Sequence, residues 1–394
     1  MKVKEFLLKT KSILRFCNAT IFFLVYTIVT WLLFTLNDIY TPKKYYERIR
    51  MRIKFFYAYV VMGTFYILVP RNFYLSIDKT ILEHFGTLSE KDGKITYIPY
   101  KDNKLKKMVL MSNHLSEFDF VFYIRALYEY DLIGNMVFGM KYELFSVPFF
   151  GDICKYCEFI GINRKDPNKL QKYISDISQM NLKNFFTYIF FPEGTIYAGN
   201  TYEKNLEWCK NNKVKPFDFV IYPRSGGIQN AIELVRSNNL KNTLDTSIET
   251  QDVEFNSSDI KMRKYDTLFL DGTIFFNPFS NNFSPMGNKI KMMALKSHEC
   301  TLNIILENAT DFTFLDDKNQ KSNSYVMSSF AKKDSFMKKV KQNKEFINLE
   351  SFKEFVNKEH SVKKHIQKEH SFYTHQGFVM IIFLYFILFY WCCF

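Results

Sequence analysis

The sequence predicts an α/β domain with a mixed, largely parallel sheet flanked by helices, tied to a membrane by apolar helices at both ends. Three observations lead there. From about 71 to 310, short β-rich runs alternate with longer amphipathic stretches, the pattern of successive βαβ units. Each of the clearest runs ends in a small cluster of polar or special residues. The stretches Phe16 to Asn37 and 377–394 contain no charged residue and are long enough to cross the hydrocarbon core at ~1.5 Å per residue.

In chain order, residues 1–70 are expected to be membrane-anchoring helices. The first apolar run is longer than a signal-peptide core, and no clear small-residue cleavage site follows it. A second run, Phe55 to Pro70, is short for a span and admits crossing, re-entry or an interfacial position. Both flanks of the first run are basic, so the charge rule gives no orientation. The catalytic-size domain spans 71–310. Its candidate strands are KMVLMS (107–112), EFIGIN (158–163), FTYIFF (186–191) and FDFVIY (217–222), followed later by TLFLDGTIFF. Helices fit between the first three, and the second of these opens with Asp166 as N-cap and Pro167 in the first turn. Residues 237–262 read as a mobile insertion, 311–376 as a basic polar connector, and 377–394 as a C-terminal anchor. His360, His365, His370 and His375 recur every five residues, a period that spreads them around a helix and argues against a shared metal.

Composition narrows the partners. At 394 residues and 47% hydrophobic, the chain is no disordered polymer. Its net charge of +13 suits an anionic partner, and lysines scattered beside apolar anchors fit a lipid surface better than nucleic acid. Seven cysteines make no dense framework, which favours a reducing setting. Cys154 and Cys157 form a lone CxxC read as packing, and Cys392 and Cys393 are either lipidated or ordinary bilayer residues. The Asn256, Asn282 and Asn308 sequons matter only in a lumen.

The polar clusters are Asn113-His114, Arg164, Pro192 to Thr195 and Pro223 to Gly227. In an open α/β sheet such strand ends converge on one crevice. His114 has the side chain suited to proton transfer near neutral pH, and Asp119, five residues on, is placed to hold its ring. The competing reading of Ser116 to Asp119 is a helix capping box. No serine or cysteine stands in a nucleophile elbow, so a base here would activate a hydroxyl brought by the substrate. Glu193 is expected to hold that hydroxyl, with the Gly194 and Thr195 amides orienting the loop. Arg164 and Arg224 suit a phosphate.

Taken in order, NHLSEFD (113–119), KYELFSVPFFGDICKYCEFIGINR (141–164), FPEGT (191–195) and YPRSGG (222–227) resemble the four motifs of the glycerolipid acyltransferases related to 1-acylglycerol-3-phosphate acyltransferase. The form of the fourth points to the eukaryotic branch near the lysocardiolipin and lysophosphatidylinositol enzymes. The resemblance implies that His114, supported by Asp119, deprotonates a lysophospholipid hydroxyl that attacks acyl-CoA directly. It also implies an acceptor site drawn from Asn113, Lys141, Arg164, Glu193, Gly194, Thr195, Pro223 and Arg224, no metal or redox cofactor, acyl-CoA as co-substrate, and an endoplasmic reticulum membrane. Ile196-Tyr197 stands where many members carry Arg-Ser, which removes one phosphate contact.

Overall fold

A computed structural model describes residues 2–68, 72–91, 94–100, 107–116, 118–130, 132, 136–163, 166, 168–180, 186–197, 199–224, 228–239, 266–277, 301–313, 320–342, 354 and 365–371. Arg164, Pro167, Ser225 to Gly227, most of the expected insertion and the whole of 377–394 lie outside these residues.

Two long helices come first, α1 (Lys2–Tyr40) and α2 (Lys43–Leu68). Within α1, Phe16–Tyr40 is apolar and long enough to cross a membrane, and among the described residues no other helix is. Ile21, Leu24, Val25, Ile28, Leu32, Leu36 and Ile39 are exposed along it. Their spacing of three or four residues makes one apolar stripe. The run from Phe55 is the later part of α2. Phe56, Tyr57, Val60, Met62 and Phe65 are buried there. The hairpin is docked by ring contacts, with Phe34 stacked on Tyr156 at 4.7 Å and Trp31 edge-on to Phe149 at 5.1 Å. Arg50 pairs with Glu158 at 3.1 Å, and buried Lys54 donates to the Cys157 carbonyl at 2.8 Å.

The remaining elements are β1 (Asn72–Asp78), α3 (Lys79–Phe85), β2 (Gly86–Lys91), β3 (Lys94–Pro99), β4 (Lys107–Ser112), α4 (Asp119–Tyr128), β5 (Met136–Lys141), α5 (Phe150–Tyr156), β6 (Ile160–Ile162), α6 (Lys169–Met180), β7 (Phe186–Phe190), α7 (Gly199–Asn211), α8 (228–239), β8 (Thr267–Asn277), β9 (Thr301–Asn308), α9 (Gln320–Gln342) and β10 (His365–Ser371). Eight strands form one sheet in the order β10-β1-β9-β8-β4-β7-β5-β6, and β2 and β3 form a separate hairpin. The block β8-β4-β7-β5-β6 is parallel throughout, while β9 runs antiparallel to β8. Met108, Val109, Leu110 and Met111 of β4 are wholly buried, the unbroken apolar run expected of a strand covered on both faces.

Several expectations need correction. FDFVIY is not a strand, because side chains take its backbone groups before any neighbour strand can. Phe219 N–H donates to Asp334 Oδ1 (2.6 Å), Ile221 N–H to Glu193 Oε2 (3.2 Å) and Tyr222 N–H to Asn205 Oδ1 (3.2 Å). The Asp218 and Phe217 carbonyls accept from the hydroxyls of Tyr197 and Tyr202. The expected connector 311–376 supplies α9 and β10 to the same body. α9 buries Val326, Phe330, Phe336, Met337 and Val340, a helical stripe that its lysines mask in the average composition. His365 and His370 sit in strand β10, not in a helix. Asn308 is held at the end of β9, where its side chain donates to Thr80 Oγ1, so this sequon is part of the fold. Cys154 and Cys157 are buried, and burial raises both thiols, Cys157 to about 11, as packed residues require.

At the centre, Gly272 of β8 opposes Ser112 of β4, and a Cβ on it would come within 2.6 Å of the Tyr123 hydroxyl. That phenol is fully buried and makes a 2.5 Å hydrogen bond with Ser112 Oγ, so it has nowhere to retreat. Gly272→Ala is expected to destabilise the protein by about 1–3 kcal/mol. Denaturant unfolding in detergent measures this, and an unchanged midpoint would mean the phenol is not fixed.

Candidate active site

The chain leaves β4 at Ser112, and the next seven residues turn into α4. Asp119 is the first residue of that helix, where a negative charge complements the helix dipole. Its Oδ2 accepts from Leu115 N–H (2.6 Å) and Ser116 N–H (3.0 Å), and its Oδ1 from Ser116 Oγ (2.7 Å). Oδ2 also lies 3.0 Å from His114 Nδ1. The expected capping box does not form: Phe118 precedes the helix without a side-chain cap, and the Asp119 carboxylate instead gathers the loop amides of Leu115 and Ser116 beside His114 Nδ1. Those bonds fold the loop so that the imidazole comes against the aspartate.

Because a carboxylate only accepts, Nδ1 must carry the proton, and in the neutral ring Nε2 is then a free base. Asp119 is fully buried, whereas His114 keeps 18% of its side chain exposed. The imidazole stacks on Phe191, the first residue of FPEGT, with centroids 4.1 Å apart and planes 14° from parallel. Strand pairing makes this contact possible, since Met111 of β4 is level with Phe190 of β7.

Glu193 is also fully buried, and it does not face a crevice. Its Oε1 accepts the His114 N–H at 2.9 Å and its Oε2 the Ile221 N–H at 3.2 Å. Burial pushes its carboxyl well above the usual range, against the pull of those two amides and of the Lys333 charge. The loop after it is tight. Gly194 N–H donates to the Phe191 carbonyl at 2.9 Å, and Gly194 has φ of 65°, a left-handed conformation that favours glycine. Tyr197 N–H donates to the His114 carbonyl, and Arg224 N–H to the Pro192 carbonyl.

Asn113 likewise serves the scaffold. Its amide donates to the Ile274 carbonyl and accepts the Ile274 N–H, both at 2.9 Å, so it extends the β4–β8 pairing past Ser112. Neither Asn113 nor Glu193 has the open position expected of a substrate contact. Around the pair, Gly194 and Arg224 are exposed, Thr195 half-buried and Pro223 buried, while Lys141 is exposed at the end of β5. Arg164 lies outside the described residues. Missed in the sequence were Phe191 as a stacking partner and the buried group Asp271, Tyr325, Ser329 and Lys333. In that group Asp271 accepts from Ser329 and Lys333 at 2.5 Å and from Tyr325 at 2.9 Å.

Two cavities lie among the described residues of this domain, neither lined by His114 itself. A polar cleft of about 740 Å³ lies beyond the ends of β5 and β6, lined by Tyr142, Phe145, Lys172 and Asp176 among others. The second, of about 640 Å³, is almost wholly apolar and lies between α1 and α2 on one side and α4 and β5 on the other. Phe118 and Phe120, which bracket Asp119, line it.

Residues 95–224, a third of the chain, match the Acyltransferase family model. The chain is similar to Lysocardiolipin acyltransferase 1 of Gallus gallus, 26% identical over 140 residues that cover 34% of this chain and 36% of that protein. It is also similar to Probable 1-acyl-sn-glycerol-3-phosphate acyltransferase 5 of Arabidopsis thaliana (24% over 130 residues, 32% and 34%) and to Lysophosphatidylinositol acyltransferase 10 of Caenorhabditis elegans (25% over 131 residues, 32% and 34%). The chain thus spans about a third of the length of the curated relatives it matches. The matched segment carries β4, the His114–Asp119 pair, FPEGT and Arg224.

Replacing Glu193 by glutamine keeps the shape but sets an NH₂ group against one of two buried amides. Glu193→Gln is expected to cost about 1–3 kcal/mol in denaturant unfolding. Wild-type stability in this variant would show that the carboxylate is not the brace described.

Proposed function

We propose that this chain, whose segment 95–224 belongs to the glycerolipid acyltransferase family, is a membrane-bound acyl-CoA-dependent O-acyltransferase of lysophospholipids. The preferred acceptor is the free sn-2 hydroxyl of 1-acylglycerol 3-phosphate, and the product phosphatidic acid. The observation that carries this reading is the 3.0 Å contact of His114 Nδ1 with buried Asp119, which leaves Nε2 as the base.

In the proposed step, Nε2 takes the proton of the acceptor hydroxyl as its oxygen bonds to the thioester carbonyl carbon. The C–S bond then breaks, and the thiolate of CoA leaves with the proton returned by His114. Asp119 stabilises the imidazolium in between. Arg224, and Arg164 in the sequence next to β6, supply cations for the acceptor phosphate. The apolar cavity between the N-terminal helices and α4 suits an acyl chain, and the exposed apolar stripe on α1 suits lipid. Exposed Lys44, Arg48 and Arg52, four apart on α2, suit anionic headgroups, and the endoplasmic reticulum is the proposed membrane.

A second reading, remodelling of a lysophosphatidylinositol or lysocardiolipin acceptor, is favoured by Tyr197. It stands where many members carry a serine after FPEGT-Arg, and its hydroxyl and backbone N–H are both used inside the fold, so this stretch offers the phosphate no contact of that kind. The test is acyl transfer from labelled oleoyl-CoA in membranes lacking the activity. Lysophosphatidic acid, lysophosphatidylinositol and glycerol 3-phosphate are offered separately. His114→Ala should lower transfer by at least about 10²-fold. Label in phosphatidylinositol alone selects the second reading, and undiminished transfer by His114→Ala rejects the mechanism.

A further inference from the structure

Helix α9 lies outside the matched segment, yet two consecutive residues of it reach opposite sides of the site. Lys333 points into the sheet and is buried, paired with Asp271 of β8 at 2.5 Å. Asp271 is level with Met111 of β4, three residues before His114. Asp334 points the other way. Its Oδ1 accepts the Phe219 N–H at 2.6 Å, and the amides of Asp218 and Val220 turn to the same carboxylate. Lys341, two turns on, lies over the Phe219 ring at 5.5 Å. Among the described residues the segment 217–224 has no strand neighbour; Asp334 takes amides near its start and Glu193 that of Ile221, beside the Tyr197, Tyr202, Asn205 and Pro192 contacts given above. Arg224 is at its end.

We propose that Asp334 is a positioning residue, which with Lys333 anchored to Asp271 fixes the 217–224 segment and thereby the distance from Arg224 to His114. The inference rests on the acyltransferase reading for its consequence, though not for its geometry. Lys333–Asp271 ties α9 to β8, the strand paired with the β4 that delivers His114, and Asp334 ties the same turn of α9 to the segment that leads to Arg224. A cation displaced by about 1 Å from a bound phosphate can cost on the order of 10²-fold. The clamp therefore acts on acceptor binding and leaves the thioester alone.

The full chain in detergent or membranes is assayed as Asp334→Ala, Asp334→Asn and Asp334→Glu. Asp334→Ala should raise KM for lysophosphatidic acid about tenfold while KM for acyl-CoA stays within about twofold. Asp334→Asn, which keeps one acceptor oxygen, should recover to within about threefold of wild type. Backbone hydrogen exchange at 218–221 should rise in Asp334→Ala with β4 unchanged. If that variant does not fold, Asp334→Glu keeps the charge but lengthens the arm, and the same shift in acceptor KM is expected of it. A fall in kcat that tracks folded protein with both KM values unchanged would overturn the clamp, as would wild-type constants throughout. If the wild type acylates no acceptor, the functional reading fails by itself. Exchange at 218–221 then decides the clamp, with faster exchange supporting it and unchanged exchange overturning it.

Discussion

Glu193 is a carboxylate without solvent, held by two backbone amides that lie far apart in sequence. One belongs to His114 just past the end of β4, the other to Ile221 in a segment with no strand neighbour among the described residues. Burying a carboxyl is costly unless its oxygens are hydrogen-bonded, so the two amides and the nearby Lys333 charge are conditions for its presence there. In return it ties together the histidine loop, the FPEGT loop and the stretch leading to Arg224. The Tyr197–His114 and Arg224–Pro192 backbone contacts, the His114–Phe191 stack and the Tyr197 hydroxyl on the Asp218 carbonyl join the same pieces.

The same economy holds at Asp119. A capping box and a held imidazole look like competing explanations in the sequence, and in space the carboxylate holds the imidazole together with the amides of its own loop, while the helix start has no side-chain cap. The aspartate opens α4, and it lies against the ring because only four residues separate it from His114. A change there would disturb local folding and proton transfer together, so its kinetic effect includes some lost preorganisation.

Much of this was legible in the chain. β4 matched KMVLMS because a central parallel strand is apolar on both faces, and β7 emerged from FTYIFF for the same reason, while β6 keeps only three residues of EFIGIN at the sheet edge. His114 and Asp119 were legible because both lie within one short loop. FDFVIY misled because its apolar run satisfies strand periodicity, while its amides are claimed by Asp334, Glu193 and Asn205 from three distant places. No local pattern reports such long-range acceptors. Glu193 and Asn113 were assigned to substrate for a related reason, since a polar residue at a strand end reads as a ligand contact until its backbone partners are known. Lys333 was invisible because a buried lysine looks, in sequence, like any of its solvated neighbours.

The edge of the sheet has a consequence for how the protein is made. β1 is flanked by β9 and by β10, so both partners of Asn72–Asp78 come from the last third of the chain. At roughly 5–20 residues per second of synthesis, the first partner emerges on the order of ten seconds or more after β1. Until then Phe73, Leu75 and Ile77, wholly buried in the finished sheet, belong to a strand with two open edges. Such a strand invites pairing with a neighbouring nascent chain. The hairpin of α1 and α2 is complete before β1 appears, and on the proposed membrane reading its apolar stripe holds the growing chain at the lipid surface, where encounters with other copies are restricted to two dimensions.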